Sequence, residues 1–122
     1  MAAVIERAPR LLLRLEGLAL AAGSLAVYFH LDFSILALIG LLIAVDLSLL
    51  GYLAGPRVGA SAYNFAHTSL WPIALGAAGV LAGAPTLTQI ALAWLAHIGI
   101  DRALGFGLKY PGDFRDTHLQ RV

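Results

Sequence analysis

The feature that most constrains this chain is the grouping of its apolar residues into four windows of about 20 residues each. The windows cover residues 11–29, 33–53, 60–81 and 87–106. A helix needs about 20 mainly apolar residues to cross the hydrocarbon core of a bilayer. The chain is 60% hydrophobic and 12% charged, and a soluble fold of 122 residues could not bury that much apolar surface. We therefore predict an all-α membrane protein with four transmembrane helices.

The positions of the basic residues predict how these spans are oriented. Short loops that contain lysine or arginine stay on the cytoplasmic side of a membrane. We therefore expect the N-terminus, the middle loop and a polar C-terminal tail, residues 107–122, to be cytoplasmic, in an antiparallel four-helix bundle. All eight basic residues lie in or beside these three regions, and the first and third loops contain none: Arg7, Arg10, Arg14, Arg57, Arg102, Lys109, Arg115 and Arg121.

Small residues and one proline predict how the helices pack. Glycine and alanine let two membrane helices approach closely. We expect Gly17 and Ala21 on the first span, and Gly76 and Gly79 on the third, to lie at such contacts. Pro72 lies inside the third span and lacks a backbone N–H, so it predicts a kink in that helix.

Composition excludes several classes of function. The net charge of +1 gives no reason to expect a nucleic-acid partner. The chain has no cysteine, which excludes disulfides, thiolate metal ligands and thiol nucleophiles. The expected partner is membrane lipid, and a homo-oligomer or a larger membrane complex is also open. The half of the bundle away from the cytoplasm is almost wholly apolar, so no continuous polar path for a channel is expected.

The polar residues inside the spans are the main indication of function. An ionisable group costs roughly 2.5–3.5 kcal/mol in the middle of a membrane helix and usually faces the interior of a bundle. Each span carries at least one, and with a rise of 1.5 Å per residue all lie about 7–14 Å from the cytoplasmic helix ends. We interpret them as one polar layer and as candidate metal ligands: Glu16, Asp46, His67, His97 and Asp101.

Further polar residues are expected to surround this layer. Tyr63 and Asn64 lie four and three residues before His67, and therefore on the same helix face. The other members of the predicted network are basic residues near the cytoplasmic end and one histidine of the tail: Arg57, Arg102, Lys109 and His118.

The motifs around these residues resemble a bacterial membrane family known as domain of unknown function 4260 (DUF4260). The resemblance rests on the stretches 46–59, 63–68 and 96–111, and extends to residues 13–17 and 114–119, so that it covers nearly the whole chain. It implies a small multi-span protein of the bacterial inner membrane and supplies no activity. His97 and Asp101, followed by Gly105 and Lys109, are also similar to the His-x-x-x-Asp helix ends of membrane-bound metal-dependent hydrolases.

Three functional interpretations follow from the polar layer. Carboxylates and histidines from facing helices can hold a divalent metal such as zinc, manganese or iron, which would favour hydrolysis at the cytoplasmic face. Alternatively, the layer is a hydrogen-bond network in a non-enzymatic structural or accessory membrane subunit. A third interpretation is haem binding, because His67 and His97 lie at similar depth on adjacent spans and two histidines can bind iron axially.

Overall fold

The computed structural model describes residues 2–106, with side chains from residue 8 onwards. Within that range the chain is helical and contains no strand, which confirms the all-α prediction. The predicted tail, 107–122, lies outside the described residues. The helices are α1 (Ala2–His30), α2 (Ile35–Val45), a 3₁₀ helix (Asp46–Ala54), α3 (Pro56–Ala66), α4 (Leu70–Leu81) and α5 (Pro85–Leu104).

The α5 helix is the centre of the fold and packs against α1, α2 and α4. Its contact with α1 is antiparallel and is built on small residues. A Cβ atom added to Gly99 would lie only 2.5 Å from the backbone nitrogen of Ala21, and one added to Gly17 would collide with Arg102. The predicted contact at Gly17 and Ala21 is therefore present, since the two backbones approach too closely for larger side chains.

The α4 helix packs on α5 in the same way. A Cβ atom added to Gly79 would lie 2.7 Å from Oγ1 of Thr88, and one added to Gly76 would lie 3.3 Å from Cβ of Ala91. These pairs run in opposite directions along the two helices, so α4 and α5 are antiparallel. The predicted packing role of Gly76 and Gly79 agrees with this contact.

The third apolar window differs from the continuous helix expected over residues 60–81. It forms two helices, because α3 ends at Ala66 and α4 begins at Leu70. The sequence predicted a kink at Pro72, but the helix breaks before this residue. Pro72 is the third residue of α4. A proline is tolerated in the first turn of a helix, where its missing N–H has no intrahelical partner to lose. The backbone therefore ends one helix and starts another.

The surface of the molecule is apolar over long stretches. Two helical segments, Ala8–His30 and Ile35–Ala54, are long and apolar enough to cross a membrane. The second consists of α2 and the 3₁₀ helix, and only 6% of its most apolar window is buried inside the protein. Leu36 and Leu53 on it are 78% and 88% exposed. Apolar helices with so little burial are unlike the core helices of soluble proteins and indicate a membrane protein.

Candidate metal centre

Four side chains from three parts of the fold converge where α2, α3 and α5 end. One ligand atom from each lies within 4.8 Å of the other three: a nitrogen from His67 and His97, and an oxygen from Asp46 and Asp101. We call these four residues the His–Asp cluster. The histidine side chains are 3% and 9% exposed, whereas Asp46 is half exposed at the edge. The cluster is therefore buried on one side and open at Asp46.

The nitrogen and oxygen atoms alternate within the cluster. Nε2 of His67 lies 3.0 Å from Oδ2 of Asp101 and 3.7 Å from Oδ1 of Asp46. Nε2 of His97 lies 3.2 Å and 3.1 Å from the same two oxygens. Among the described residues, neither Nε2 atom has a hydrogen-bond partner. Each nitrogen therefore lies within ion-pair distance of both carboxylates at once.

Helix ends bring these residues together. His97 and Asp101 are four residues apart on α5 and so share one face of that helix. His67 follows the last residue of α3, and Asp46 follows the last residue of α2, where the backbone changes to the 3₁₀ form. Helix C-termini carry partial negative charge from their free carbonyl groups.

The His67 ring is fixed from two sides. Its Nδ1 lies 2.9 Å from the backbone carbonyl of Tyr63, which can only accept a hydrogen bond, so Nδ1 carries a proton. The Tyr63 ring stacks on the imidazole with centroids 3.7 Å apart. In the neutral ring, Nε2 consequently has its lone pair directed into the cluster. A protonated Nδ1 bound to a carbonyl is the usual arrangement of a metal-binding histidine.

The break between α3 and α4 is also held in place. Arg102 donates a hydrogen bond of 3.2 Å from Nη2 to the backbone carbonyl of His67, and the Trp94 indole N–H donates to the carbonyl of Ala66. These two contacts satisfy carbonyl groups that the interruption would otherwise leave without partners. Both donors come from α5, the helix that carries His97 and Asp101. The position of His67 is therefore tied to the other ligands.

The donor set is of the kind that divalent cations bind in proteins. In a tetrahedral zinc site, nitrogen and oxygen ligands at about 2.0–2.2 Å from the metal are separated from each other by about 3.4 Å. The four nitrogen–oxygen distances of 3.0–3.7 Å surround that value, whereas the widest separation in the cluster, up to 4.8 Å, exceeds it. Two carboxylates also neutralise a divalent ion, which reduces the cost of holding it in a poorly solvated place.

Four of the five predicted ligands meet in the cluster, and Glu16 does not. Its side chain is exposed, while the neighbouring Gly17 is buried against α5. Successive residues of a helix differ by about 100° in direction, so Glu16 faces away when Gly17 faces inwards. Glu16 was predicted as a ligand because of its depth in the first span. Its side chain points in a different direction around the helix and therefore lies away from the cluster.

The predicted surrounding network is present in part. Tyr63 and Arg102 contact His67 as described, and the Asn64 carbonyl accepts a hydrogen bond of 2.6 Å from the Thr68 hydroxyl beside the break. Arg57 is exposed near the start of α3. Lys109 and His118 lie outside the described residues.

Sequence reasoning did not single out Trp94 as a residue of the site. Trp94 lies three residues before His97 on the same face of α5, and this spacing was the available signal.

Comparison with known proteins gives one match. A family model described as a domain of unknown function, DUF4260, matches residues 10–122, and this range contains the whole His–Asp cluster. No curated protein and no solved structure matches the chain.

Proposed function

The chain belongs to the DUF4260 family, and we propose that it is a multi-span membrane protein that binds a divalent metal ion through Asp46, His67, His97 and Asp101. The observation that carries this proposal is the convergence of four ligand atoms to within 4.8 Å, with two buried Nε2 atoms that lie 3.0–3.7 Å from two carboxylates without a regular hydrogen bond in the described part of the chain. Buried polar atoms in native proteins are normally hydrogen-bonded, and unpaired ones often mark the place of a missing ion. Mixed imidazole and carboxylate ligands are typical of zinc, manganese and iron sites.

The chemistry of the site favours hydrolysis. A divalent metal held there would supply Lewis acidity and lower the pKa of a water ligand to about 7, which provides a nucleophile. Asp46 lies at the exposed edge of the cluster, so a substrate can approach from that side. The protein's own contribution is to fix the His67 imidazole through the Tyr63 carbonyl and to present His97 and Asp101 from one face of α5.

We place this site near the cytoplasmic surface of the inner membrane. In this arrangement α1, the α2–3₁₀ segment, the α3–α4 pair and α5 are the four spans. The α3 and α4 helices, with 11 and 12 residues, are each too short to cross alone, since about 20 residues are needed. Non-helical backbone at membrane depth is tolerated where protein covers it. Trp94 and Arg102 cover the interruption between α3 and α4.

The first test is elemental analysis of protein purified in detergent without chelators. We expect about one zinc, manganese or iron ion per chain. The His67→Ala/His97→Ala variant should lose the ion and keep its helical circular dichroism spectrum. Glu16→Gln and His30→Ala are matched controls, because both side chains are exposed and lie outside the cluster, and both should retain the metal. Metal-free wild-type protein would overturn the proposal and leave a structural ion-pair network.

The orientation is tested by labelling. Because the chain contains no cysteine, single substitutions give an unambiguous signal with a membrane-impermeant maleimide. His30→Cys lies at the end of α1, and Arg57→Cys lies at the start of α3. In spheroplasts, we expect labelling at residue 30 only, and in inverted vesicles at residue 57 only. Labelling of both residues from one side would contradict the four-span arrangement.

The haem alternative finds little support in this geometry. Two axial histidines lie on opposite faces of the macrocycle, which must fit between them. The rings of His67 and His97 are 5.1 Å apart at 66°, and the Asp101 carboxylate contacts both Nε2 atoms. A visible spectrum recorded on the same sample tests this alternative, and we expect no Soret band.

A further inference from the structure

A cavity of about 270 Å³ lies between α2, the 3₁₀ helix, α3 and α5. Its volume is several times the roughly 30 Å³ that one water occupies in the liquid. The wall is almost entirely apolar, and its side chains come from all four of these elements: Leu41, Ala44, Val45, Ser48, Phe65, Ala66, Ile90 and Trp94. An apolar cavity of this kind favours a hydrocarbon ligand over a polar one.

Residues that line the cavity are close neighbours of the His–Asp cluster along the chain. Val45 precedes Asp46, and Ala66 precedes His67. Trp94 lies one helical turn before His97 on α5, and its indole N–H is held by the Ala66 carbonyl. Three of the four cluster residues therefore have a cavity residue next to them or one turn away. A molecule in the cavity would have one end beside the cluster.

The cavity opens on the side of the protein. Ala44 and Phe65, which line it, are exposed, and Phe65 is 58% exposed. They lie in segments that we place in the membrane, so the opening faces lipid. A hydrocarbon chain can then enter from the bilayer without crossing water. It moves from one apolar environment to another, so the transfer costs little free energy.

One polar atom lies in this apolar wall without a partner. The Ser48 hydroxyl oxygen is buried and forms no hydrogen bond within the described part of the chain. Ser48 lies two residues after Asp46 in the chain. An unpaired buried hydroxyl is costly unless a ligand completes its hydrogen bonds. Its position suits the polar atoms that join a hydrocarbon chain to a headgroup.

We propose that the ligand of this site is an amphiphilic lipid, whose hydrocarbon chain lies in the cavity while its polar head reaches the His–Asp cluster. This inference rests on the proposed metal site and names its class of substrate. The Ser48 hydroxyl donates a hydrogen bond to an oxygen near the head, and the exposed edge at Asp46 accommodates the head itself. The lipid binds from within the bilayer, and its reactive bond lies at the cytoplasmic end.

Trp94 provides a probe of the cavity. The chain has two tryptophans, so Trp71→Phe leaves Trp94 as the single fluorophore. Bromine atoms quench tryptophan fluorescence on contact, so a dibrominated stearic acid is titrated into the detergent-solubilised, metal-loaded protein. We expect saturable quenching that ordinary stearic acid reverses. Ala44→Phe, which fills the cavity, should weaken the apparent affinity at least about tenfold. The matched control is Ala78→Phe, an exposed position on α4 outside the cavity wall, which should leave the affinity unchanged.

The connection between cavity and cluster is tested in the same titration. Because the carboxylate head would contact the metal, removing the metal with a chelator should weaken stearic acid binding at least about tenfold. Metal-loaded protein without saturable quenching overturns the lipid inference and leaves the metal site intact. Saturable quenching that is unchanged by the chelator places a chain in the cavity without its head at the cluster, which also overturns the inference. Protein that never binds metal overturns the proposed function itself.

Discussion

Two groups of polar side chains lie at opposite ends of α5 and differ in how their buried polar atoms are hydrogen-bonded. Near its start, the buried Tyr28 hydroxyl donates a hydrogen bond of 2.6 Å to the Ser34 carbonyl and accepts one of 3.1 Å from Nε2 of Gln89. We call these three residues the tyrosine cluster. Near its end, the His–Asp cluster leaves both Nε2 atoms without a hydrogen bond within the described residues. One group is satisfied by protein atoms alone, and the other is not.

Under the proposed function, this difference separates a structural role from a binding role. A polar network that only joins helices is most stable when every buried donor and acceptor is paired. The tyrosine cluster meets that condition and connects α1 and α5 with the turn before α2. The His–Asp cluster brings two carboxylates against two nitrogens at 3.0–3.7 Å, an arrangement that a central cation completes. We therefore expect substitutions in the His–Asp cluster to change metal affinity, and substitutions in the tyrosine cluster to change stability.

The largest effect is expected from Asp101→Asn. The Asp101 carboxylate contacts both histidine nitrogens, at 3.0 and 3.2 Å, and supplies one of the two negative charges of the site. The amide removes that charge, so metal affinity should fall by more than about 100-fold, the upper range for loss of residues that merely support ligands. Competition with a chelator of known affinity measures it.

The control for Asp101→Asn is Asp32→Asn, the same change in the loop after α1, where the side chain is exposed. It should leave metal affinity unchanged. Equal affinities for wild type and Asp101→Asn would show that the His–Asp cluster is another closed network.

The sequence alone predicted much of this site, because helix periodicity and depth are both readable from it. His97 and Asp101 share a face through their spacing, and His67 lies at the same depth. The direction of each side chain around its helix was harder to predict. Glu16 is excluded from the cluster because Gly17, and not a charged residue, sets which face of α1 packs against α5.

The break in the third window was also beyond prediction. Pro72 indicated an irregular backbone in this window, but the position of the break depends on hydrogen-bond donors from α5. Trp94 and Arg102 stabilise the free carbonyl groups of Ala66 and His67. Tertiary contacts of this kind have no local pattern in the sequence. The cavity beside the cluster depends on the same packing.

The next effect is expected from Gly99→Ala, which acts on α1 and not on the metal ligands. The new methyl group would lie 2.5 Å from the Ala21 nitrogen and 2.6 Å from the Gly17 carbonyl oxygen, so α1 must move away. Overpacking of this kind costs about 1–3 kcal/mol. The α1 helix carries Tyr28 but no residue of the His–Asp cluster. Thermal unfolding in detergent should therefore show a lower midpoint, while metal content stays at the wild-type value.

Gly23→Ala provides the control on the same helix pair, because nothing lies within 4 Å of the added atom. It should leave the midpoint unchanged or raise it, since alanine favours helix over glycine by about 1 kcal/mol. If Gly99→Ala lost its metal while remaining folded, the contact between α1 and α5 would support the His–Asp cluster as well as the fold.

Arg102→Gln should weaken metal binding moderately. Arg102 holds the His67 carbonyl at 3.2 Å and touches no ligand atom, so it positions the histidine from outside. Loss of such support typically lowers metal affinity by about 10-fold or more. The control is Arg14→Gln, whose Nε donates to the Ala103 carbonyl at 2.9 Å on the exposed side of α5. Equal losses of metal affinity in both variants would indicate a general effect of charge and not the positioning of His67.

The smallest effect is expected from Tyr28→Phe, which opens the tyrosine cluster. The change removes two hydrogen bonds and keeps the ring in its core with Leu38 and Ala93, so it should cost about 1 kcal/mol. A double-mutant cycle with Gln89→Leu measures the coupling, because the second change should cost less when the hydroxyl is already absent. Metal affinity should stay at the wild-type value in both single variants. A loss of metal there would mean that the tyrosine cluster supports the site through α5, and the two ends of the helix would then form one functional unit.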